Sequence, residues 1–512
     1  MAINLSTLRN IMRNDSGIAT DVVRLEQIVW ILFLKIYDSI EENLEYTLEG
    51  KYTSIIPDEY KWRNWAPSKD ENDKSKSGGL TGDALLKFID ELFKALAALP
   101  VTPNTPKGQA RVRDVFKSGI NNYSKNGKIL RDVIDYINDN VDIEDAKERH
   151  AFGEIYEEML RLLQAAGSAG EFYTPRTLTN FIVEKLDPKL GERFADFTSG
   201  TGGFLTSALN YMSRDGSTRT DDKAMQNYQN AVFGQEWKPL PYLLSIANLF
   251  IHRINNPNII NGDSLTLYKE DVKDNELFNV IGMNPPYGGS SDNDIVKTFP
   301  ETMRSSETAD LFIILIMSRL AKGGRAGVII PDGFLFGTEG AKKAIKEKLL
   351  KDFNLHTIIR LPGSVFAPYT SIATNILFFN KEKAKGAPEG YSTKETWIYR
   401  LDMPEGYKHF SKTKPMTAEH CQPIDQWWTS RTEIPDLNAD GETIGYKSKC
   451  YTVQQLIATN CNFDLCKFPK EEEEVLPPDE LLAQYHRRRA QLDQKIDDVL
   501  GKIQGLLQNP TE

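Results

Sequence analysis

Apolar and polar positions change their spacing twice along the chain. In residues 1–165, apolar side chains recur every three or four residues, most regularly from Val22 to Ile40. That spacing places them on one face of a helix. No residue of this stretch suggests site chemistry, so it predicts a helical N-terminal domain that packs against the rest of the chain or docks a partner.

Residues 166–470 have a different pattern, in which short apolar runs alternate with helical segments. Strands alternating with helices are typical of an α/β fold with a mostly parallel sheet. Beyond residue 385 the pattern becomes irregular and predicts no strand. The predicted strands are Phe194–Phe197, Ala231–Gln235, Asn258–Asn261, Phe278–Met283, Gly327–Ile330, His356–Leu361 and Asn375–Asn380.

Residues 471–512 read as a charged linker followed by a helix at about 479–507. Its apolar side chains recur in alternating steps of three and four, which is the seam of a coiled coil, with Arg489 at one seam position. The pattern predicts a helix that docks a partner, although a helix folded back on its own chain has the same pattern. The seam residues are Leu482, Tyr485, Leu492, Ile496, Val499, Ile503 and Leu506.

Composition narrows the function classes. The chain is 40% hydrophobic and 26% charged, as globular proteins are, and its apolar run Ile28–Tyr37 is too short to span a membrane, so we expect a cytoplasmic protein without membrane contact. A net charge of -10 argues against tight DNA binding by the chain alone, but not against a local basic groove or a DNA-binding partner. The four cysteines form no CxxC pair, which favours reduced thiols over a metal site.

A glycine-rich turn follows the first predicted strand and opens a helical segment. Glycine lets a backbone approach a ligand closely, and ligands of α/β sheets bind where strands end. Such a turn is a weak signal by itself. The candidate ligand-binding residues here are Asp196, Thr198, Ser199, Gly200, Thr201, Gly202 and Gly203.

Carboxylates end the next two predicted strands. Glu236 is placed to accept hydrogen bonds from two ribose hydroxyls, as acidic residues do in nucleotide-binding sheets. Asp263 is placed to hold an adenine amino group, although taken singly it reads better as a turn or helix cap. Together with the glycine-rich turn, the ordered series predicts a nucleoside-binding crevice.

The most specific signal is the run Asn284, Pro285, Pro286 and Tyr287 after an apolar strand. The prolines cannot continue a central strand and force a rigid turn. That turn offers two acceptors, the Asn284 side-chain carbonyl and the Pro285 backbone carbonyl, and the flat face of Tyr287. Two acceptors aimed at an exocyclic amine favour a more tetrahedral nitrogen, which suits methyl transfer from S-adenosylmethionine. Such an amine is found on adenine and cytosine. A base in duplex DNA must be flipped out of the helix to reach the turn, and Tyr287 would stack on it.

With these motifs in this order, the chain resembles the methylation (M) subunit of type I restriction-modification systems over most of its length. The resemblance implies a Rossmann-like methyltransferase of adenine N6 in double-stranded DNA, with two such chains joined to one specificity subunit and a nuclease and translocase subunit added for restriction. It also implies a segment lying over the cofactor. The motifs behind it further include Gly170–Arg176, Leu361–Gly363 and Thr374–Phe379, and the implied cofactor contacts are Glu171, Phe172, Tyr173, Thr174, Pro175 and Arg176.

Some alternatives stay open. Many relatives carry proline where this chain has Phe197, a change that we expect to be tolerated. The family uses Asn, Asp or Ser at the position of Asn284, so N4 of cytosine is an alternative target. Protein glutamine N5-methyltransferases also use an Asn-Pro-Pro-Tyr turn, but they are much shorter. A scaffold with an inactive fold is a third reading, which the intact motifs argue against.

Overall fold

A computed structural model describes residues 4–48, 50–68, 79–141, 156, 158–160, 173–367, 370, 372–411, 413–438, 440–469 and 478–508. Its N-terminal part is helical, as predicted, and the regular apolar stretch forms α2, in which Thr20 caps the first turn by accepting the Val23 N–H at 3.3 Å. The helices here are α1 (Leu5–Met12), α2 (Asp21–Thr47), α3 (Trp62–Trp65), α4 (Gly82–Ala97), α5 (Lys107–Lys117) and α6 (Gly127–Asn140).

One mixed sheet organises the middle of the chain, in the order β3-β2-β1-β4-β5-β7-β6-β8-β10-β9. All seven predicted strands are present; their ends lie within two residues of the prediction, except that β5 begins at Leu320 and not at Gly327. The strands are β1 (Phe194–Asp196), β2 (Val232–Glu236), β3 (Ile259–Asn261), β4 (Phe278–Met283), β5 (Leu320–Pro331), β6 (Asn354–Arg360), β7 (Thr374–Asn380), β8 (Glu395–Arg400), β9 (Ile434–Leu437) and β10 (Thr443–Thr452).

Two sequence expectations about the sheet need correction. The half from β3 to β5 is parallel as expected, but β7 runs antiparallel between β5 and β6, and β10 runs antiparallel to β8 and β9. The chain beyond residue 385 is not irregular, because it adds β8, β9 and β10. Two of these strands lack a continuous apolar run: β10 is mostly half-exposed, and β9 contains Pro435, which an edge strand tolerates.

Helices cover both faces of the sheet. Side chains alternate between two cores along each strand, so that Val280 faces one core and Ile281 the other. The helices are α7 (Arg176–Leu186), α8 (Gly203–Met212), α9 (Asp222–Gln229), α10 (Pro239–Ile251), α11 (Asn293–Thr298), α12 (Thr308–Arg319), α13 (Asp332–Phe336), α14 (Gly340–Asp352), α15 (Gln422–Ser430) and α16 (Val453–Ala458).

The N-terminal helices share one of these cores. Phe33 and Tyr37 of α2 pack against Phe250 of α10, with ring centroids 6.1 and 5.7 Å apart, and the Tyr156 hydroxyl donates to the Leu244 carbonyl. Residues 1–467 accordingly form one compact unit. The predicted domain boundary at residue 165 lies outside the described residues and stays a prediction.

Residues 468–512 form a second unit, which contains α17 (Pro478–Gln508). This helix confirms the one predicted at about 479–507. Its seam residues Leu482, Tyr485, Leu492, Ile496 and Val499 are each more than half exposed. Within the described ranges, no helix of the chain combines the length and the apolar character that crossing a lipid bilayer requires.

Candidate active site

A cavity of about 590 Å³ opens where the adjacent parallel strands β1 and β4 end. The chain runs from β1 to β2 and β3 on one side, whereas β4 lies on the other side of β1. This is the topological switch point of the parallel half, where α/β sheets bind their ligands. The volume falls within the range of about 300 to 1,000 Å³ that is usual for small-molecule sites.

Most residues predicted from the sequence meet in this cavity. The predicted residues that line it are Thr174, Asp196, Thr198, Ser199, Gly200, Thr201, Gly203, Glu236, Asp263, Asn284 and Pro286. In the described part of the chain, Tyr173, Pro175, Arg176, Gly202, Pro285 and Tyr287 are not among its lining residues. Glu171 and Phe172 lie outside the described residues.

The glycine-rich turn between β1 and α8 has a left-handed backbone at two positions. Gly200 has φ 51° and Gly202 has φ 81°, values that side-chain-bearing residues rarely adopt. A Cβ atom on Gly202 would also lie 3.0 Å from the Ser245 hydroxyl of α10. Gly200 therefore shapes the cavity wall, whereas Gly202 is needed for the backbone angle and for the packing of α8 on α10.

Glu236 ties the end of β2 to this turn. Its Oε2 accepts the Gly200 N–H at 2.9 Å and its Oε1 accepts the Lys238 N–H at 2.8 Å. Burial raises the pKa of this carboxyl group. A carboxylate oxygen can accept two hydrogen bonds, and each Glu236 oxygen accepts one from the backbone, so Glu236 has acceptor capacity left for ligand hydroxyls.

Asp196 ends β1 at the floor of the cavity and is only 1% exposed. Its Oδ1 accepts the Thr198 N–H at 3.0 Å. Burial raises the pKa of Asp196 to about 8. The carboxyl group therefore holds a proton near neutral pH, and a positively charged ligand in the cavity would favour its ionised form.

Asp263 follows β3 and caps a short 3-10 turn, Ser264–Leu267, by accepting the Leu265 N–H at 2.9 Å. The capping interpretation is thus confirmed. The side chain also lines the cavity, so its contact with an adenine amino group stays a prediction.

Asn284 directly follows β4 and is held from three directions. Its Nδ2 donates to the Thr174 Oγ1 at 3.1 Å, its Oδ1 accepts from the Tyr287 hydroxyl, and its backbone carbonyl accepts from the Thr198 Oγ1 at 3.2 Å. These bonds fix which way the amide faces. Because an amide oxygen has two lone pairs, Oδ1 retains one for a further donor.

The rest of the turn is held by packing and a hydrogen bond. Pro285 is buried and Pro286 is exposed, with its carbonyl accepting from the Thr308 Oγ1 at 3.2 Å. The half-buried ring of Tyr287 packs edge-on against Phe366, with centroids 6.3 Å apart and planes at 81°. Burial raises the pKa of the Tyr287 hydroxyl, which keeps it a hydrogen-bond donor.

Among the described residues 173–176 of the segment that leads into α7, Thr174 alone lines the cavity. Thr174 also fixes Asn284. Arg176 instead lies against the start of α8, where its Nη1 donates to the Thr206 Oγ1 at 3.2 Å. The predicted cofactor contacts of Tyr173, Pro175 and Arg176 stay predictions.

Sequence reasoning missed several lining residues. Trp237 directly follows Glu236 and is 67% exposed, which suits an aromatic face for a ligand ring. Its place next to the strand-ending carboxylate was the available signal. The apolar residues Leu265, Ile295 and Phe312 come from separate elements, and no sequence pattern joins them.

Two polar atoms in the cavity wall support ligand binding. The Ser199 Oγ and the Gln235 Oε1 are buried, and neither has a hydrogen-bond partner among the described residues. An unpaired buried polar atom costs about 1 to 3 kcal/mol. Both residues line the cavity.

Replacing Glu236 with alanine is expected to weaken binding of S-adenosylmethionine, the cofactor predicted from the sequence, by about 1 to 3 kcal/mol. The loss of the carboxylate leaves the ligand hydroxyls without their charged hydrogen-bond acceptor, which costs an amount of this size. It corresponds to a roughly 5- to 150-fold lower affinity. Titration calorimetry on the purified chain measures it. Glu236→Gln retains one acceptor oxygen and should lose less, and an unchanged affinity in a folded Glu236→Ala variant would contradict the assignment.

Two family models, taken together, and a relative match most of this chain. The family model described as N-6 DNA Methylase matches residues 147–475, and the HsdM N-terminal domain model matches residues 5–137. The chain is 43% identical over 507 residues to the type I restriction enzyme EcoEI methylase subunit of Escherichia coli, covering 97% of both chains.

Two solved structures of type I restriction-modification proteins are also similar to this chain. A modification subunit of a putative type I restriction enzyme from Vibrio vulnificus YJ016 superposes with a TM-score of 0.69 at 37% identity, covering 86% of this chain and 94% of that one. A chain from a structural study of complex assembly in the type I R-M system superposes with a TM-score of 0.74 at 31% identity, covering 99% and 98%.

Proposed function

Because the chain belongs to the N-6 DNA methylase family, as a methylase subunit of a type I restriction-modification system, we propose that it transfers a methyl group from S-adenosylmethionine to N6 of a flipped-out adenine in double-stranded DNA. A specificity subunit would choose the sequence at which this happens.

The observation that carries the proposal is a hydrogen bond between the two predicted turns. The Thr198 Oγ1 of the glycine-rich turn donates to the Asn284 carbonyl of the Asn-Pro-Pro-Tyr turn at 3.2 Å. A cofactor cradled by the first turn and an amine held by the second would therefore meet in one cavity. In-line placement of two reactants supplies a large part of the barrier reduction in a group transfer.

The cavity fits the cofactor by its donor set. Glu236 offers acceptors for hydroxyls, Trp237 offers an aromatic face, and Ser199 and Gln235 offer unpaired polar atoms. When bound, S-adenosylmethionine supplies a methyl group that its positively charged sulfur already activates. The buried carboxyl group of Asp196 would balance that positive charge.

Asn284 is the residue that we assign to the target amine. Its Oδ1 and the Pro285 carbonyl would accept the two N6 hydrogens, which favours a more tetrahedral nitrogen as the new bond forms. The bonds from Thr174 and Tyr287 orient the amide before substrate arrives. Thr174 is thus a positioning residue in this scheme.

The target adenine would leave the duplex, since N6 is out of reach of a catalytic group inside the base stack. Pro286 is exposed at the cavity mouth, next to Tyr287. The Tyr287 ring would stack on the flipped base, supported on its edge by Phe366.

The same family membership supports a proposal for the complex in which this chain works. We propose two copies of this chain with one specificity subunit, and a nuclease and translocase subunit added for restriction. Residues 1–165 and 166–470 would provide the helical domain and the methyltransferase domain, and residues 471–512 the linker and docking helix. The exposed apolar seam of α17 supports that docking role.

The decisive experiment is to co-express the chain with a specificity subunit and to map modified bases in the host DNA by single-molecule sequencing. N6-methyladenine at one recurring sequence is expected. N4-methylcytosine there would favour the cytosine alternative. A methylated protein glutamine without DNA modification would favour the glutamine alternative, whose enzymes are much shorter than these 512 residues.

Cofactor affinity should rise with pH up to about pH 8 and then level off. The free protein holds a proton on Asp196, whose pKa burial raises to about 8, and a cationic ligand displaces that proton. Loss of one proton on binding gives up to tenfold in affinity per pH unit below the pKa. Calorimetry between pH 6 and pH 9 measures the slope.

Asp196→Asn is the matched control, because its side-chain oxygen still accepts the Thr198 N–H. In this variant the cofactor affinity should depend less on pH than in the native chain. The difference between the two proteins is the part of the pH dependence that is due to the Asp196 carboxyl group and not to titration of the cofactor itself. Parallel profiles for both proteins would exclude Asp196 as the titrating group.

A further inference from the structure

Residues 406–418 are basic in an otherwise acidic chain. This basic segment contains Lys408, His409, Lys412 and Lys414 and no carboxylate, whereas the whole chain has 72 acidic residues and a net charge of -10. Lys412 lies outside the described residues. The nearest carboxylates along the chain, Glu405 and Glu419, stand just beyond the ends of the segment.

The basic segment lies at the catalytic edge of the sheet. It follows β8, which runs parallel to β6. Because β7 is antiparallel to both β5 and β6, these strands point the same way as β5 and its parallel neighbour β4. The carboxyl end of β8 is therefore on the edge where Asn284 follows β4.

Two anchors hold the segment beside the catalytic turn. Phe410 is 1% exposed and its N–H donates to the Ser364 Oγ at 2.9 Å, two residues before Phe366, which packs against Tyr287. At the other end, the carbonyl of buried Met416 accepts from the Thr177 Oγ1 at 3.2 Å.

The second anchor also leads to the catalytic turn. Thr177 is in the first turn of α7, directly after the segment in which Thr174 accepts from the Asn284 Nδ2. The basic segment therefore bridges the two elements that position Asn284 and Tyr287.

The lysines are presented on a fixed backbone. Ser411 and Lys414 close a tight turn by two mutual backbone hydrogen bonds of 3.0 and 3.2 Å. The Lys414 Nζ lies 5.5 Å from the centroid of the Tyr407 ring. Lys408 and Lys414 are exposed, and neither forms an ion pair with any residue that the structure describes. Their charge is available to a partner.

We propose that the basic segment binds the sugar-phosphate backbone of DNA next to the flipped adenine. The inference rests on the proposed function, since it takes the base in the cavity to be part of a duplex. Phosphates on both sides of a flipped nucleotide must lie beside the cavity mouth, and lysines there gain from counterion release. Backbone contacts carry no sequence information, which leaves sequence reading to the specificity subunit.

The test compares two pairs of substitutions in the complex with the specificity subunit. Lys408→Gln with Lys414→Gln removes two charges from the basic segment. Lys383→Gln with Lys385→Gln is the matched control, because these exposed lysines follow the end of β7 at the opposite edge of the sheet. Affinity for a 30-bp duplex containing the mapped site is measured from about 0.05 to 0.3 M salt.

The first pair should lower the slope of log affinity against log salt by about 1.8, because each lost phosphate contact removes about 0.9. At 0.1 M salt the affinity should fall by up to about 60-fold, the counterion contribution of two contacts. The control pair should change neither quantity. Melting temperature and cofactor affinity should equal those of the native chain in both variants.

Three results would overturn the inference. An unchanged slope excludes phosphate contacts by Lys408 and Lys414, and equal losses in both pairs indicate a general effect of net charge. Poor assembly of the first variant with the specificity subunit would make the basic segment a protein interface. If the native complex methylates no DNA, the proposed function itself fails, which the mapping experiment detects separately.

Discussion

Replacing Asn284 with alanine should lower the rate of methyl transfer to DNA by about 100- to 1,000-fold, the effect of removing one preorganised polar group from a transition state. The cofactor affinity should stay within a few-fold. The rate should change more than the affinity because the Asn284 side chain bonds only Thr174 and Tyr287 among the residues that the structure describes. The glycine-rich turn keeps its hydrogen bond to Glu236 in this variant.

Transfer of a labelled methyl group under single-turnover conditions measures the rate, and calorimetry measures the affinity. Tyr287→Phe is the matched control, because it removes the hydroxyl that bonds the Asn284 Oδ1 but keeps the ring and its packing against Phe366. That variant should lose clearly less activity than Asn284→Ala. An Asn284→Ala complex that methylates near the native rate would remove Asn284 from the reaction.

The sequence predicts which residues gather at this cavity because the candidate residues stand at the ends of strands. Asp196 and Glu236 each end a strand and Asn284 directly follows one, these strands have recognisable apolar residues, and the ends of parallel strands meet at one edge. The pairing of β1 with β4, which brings Asn284 beside Thr198, depends on long-range packing that no local pattern encodes.

The sequence predicts the outer half of the sheet poorly, for a related reason. β10 is mostly half-exposed and β9 contains Pro435 at the sheet edge, so neither shows an apolar run. Sequence reasoning also missed β8, which hides the position of the basic segment, since only the direction of β8 places Lys408 and Lys414 at the catalytic edge. Their position beside the Asn-Pro-Pro-Tyr turn is evident only from the tertiary structure.

Deleting residues 479–512 should leave a folded chain that binds cofactor normally but assembles poorly with the specificity subunit and loses DNA methylation. Among the described residues, the two hydrophobic cores end at Cys466, and residues 468–512 form a unit of their own. The unit that contains the cavity therefore loses no core residue. The truncation instead removes the seam of α17 from the second unit, where Leu492 and Ile496 are 53% and 56% exposed.

A pair of point variants separates the seam from the helix as such. Leu492→Glu with Ile496→Glu places two charges in the seam, whereas Gln491→Glu with Gln494→Glu places the same two charges on positions that a heptad turns outward. Burying one leucine or isoleucine side chain is worth about 1.5 to 3 kcal/mol, so the seam pair should weaken assembly by at least about 100-fold. The outward pair should assemble normally, as sedimentation velocity of the mixed subunits would record. If the truncated chain forms a complex of native stability and full activity, α17 has no docking role, and if it fails to fold, the helix packs against its own chain instead.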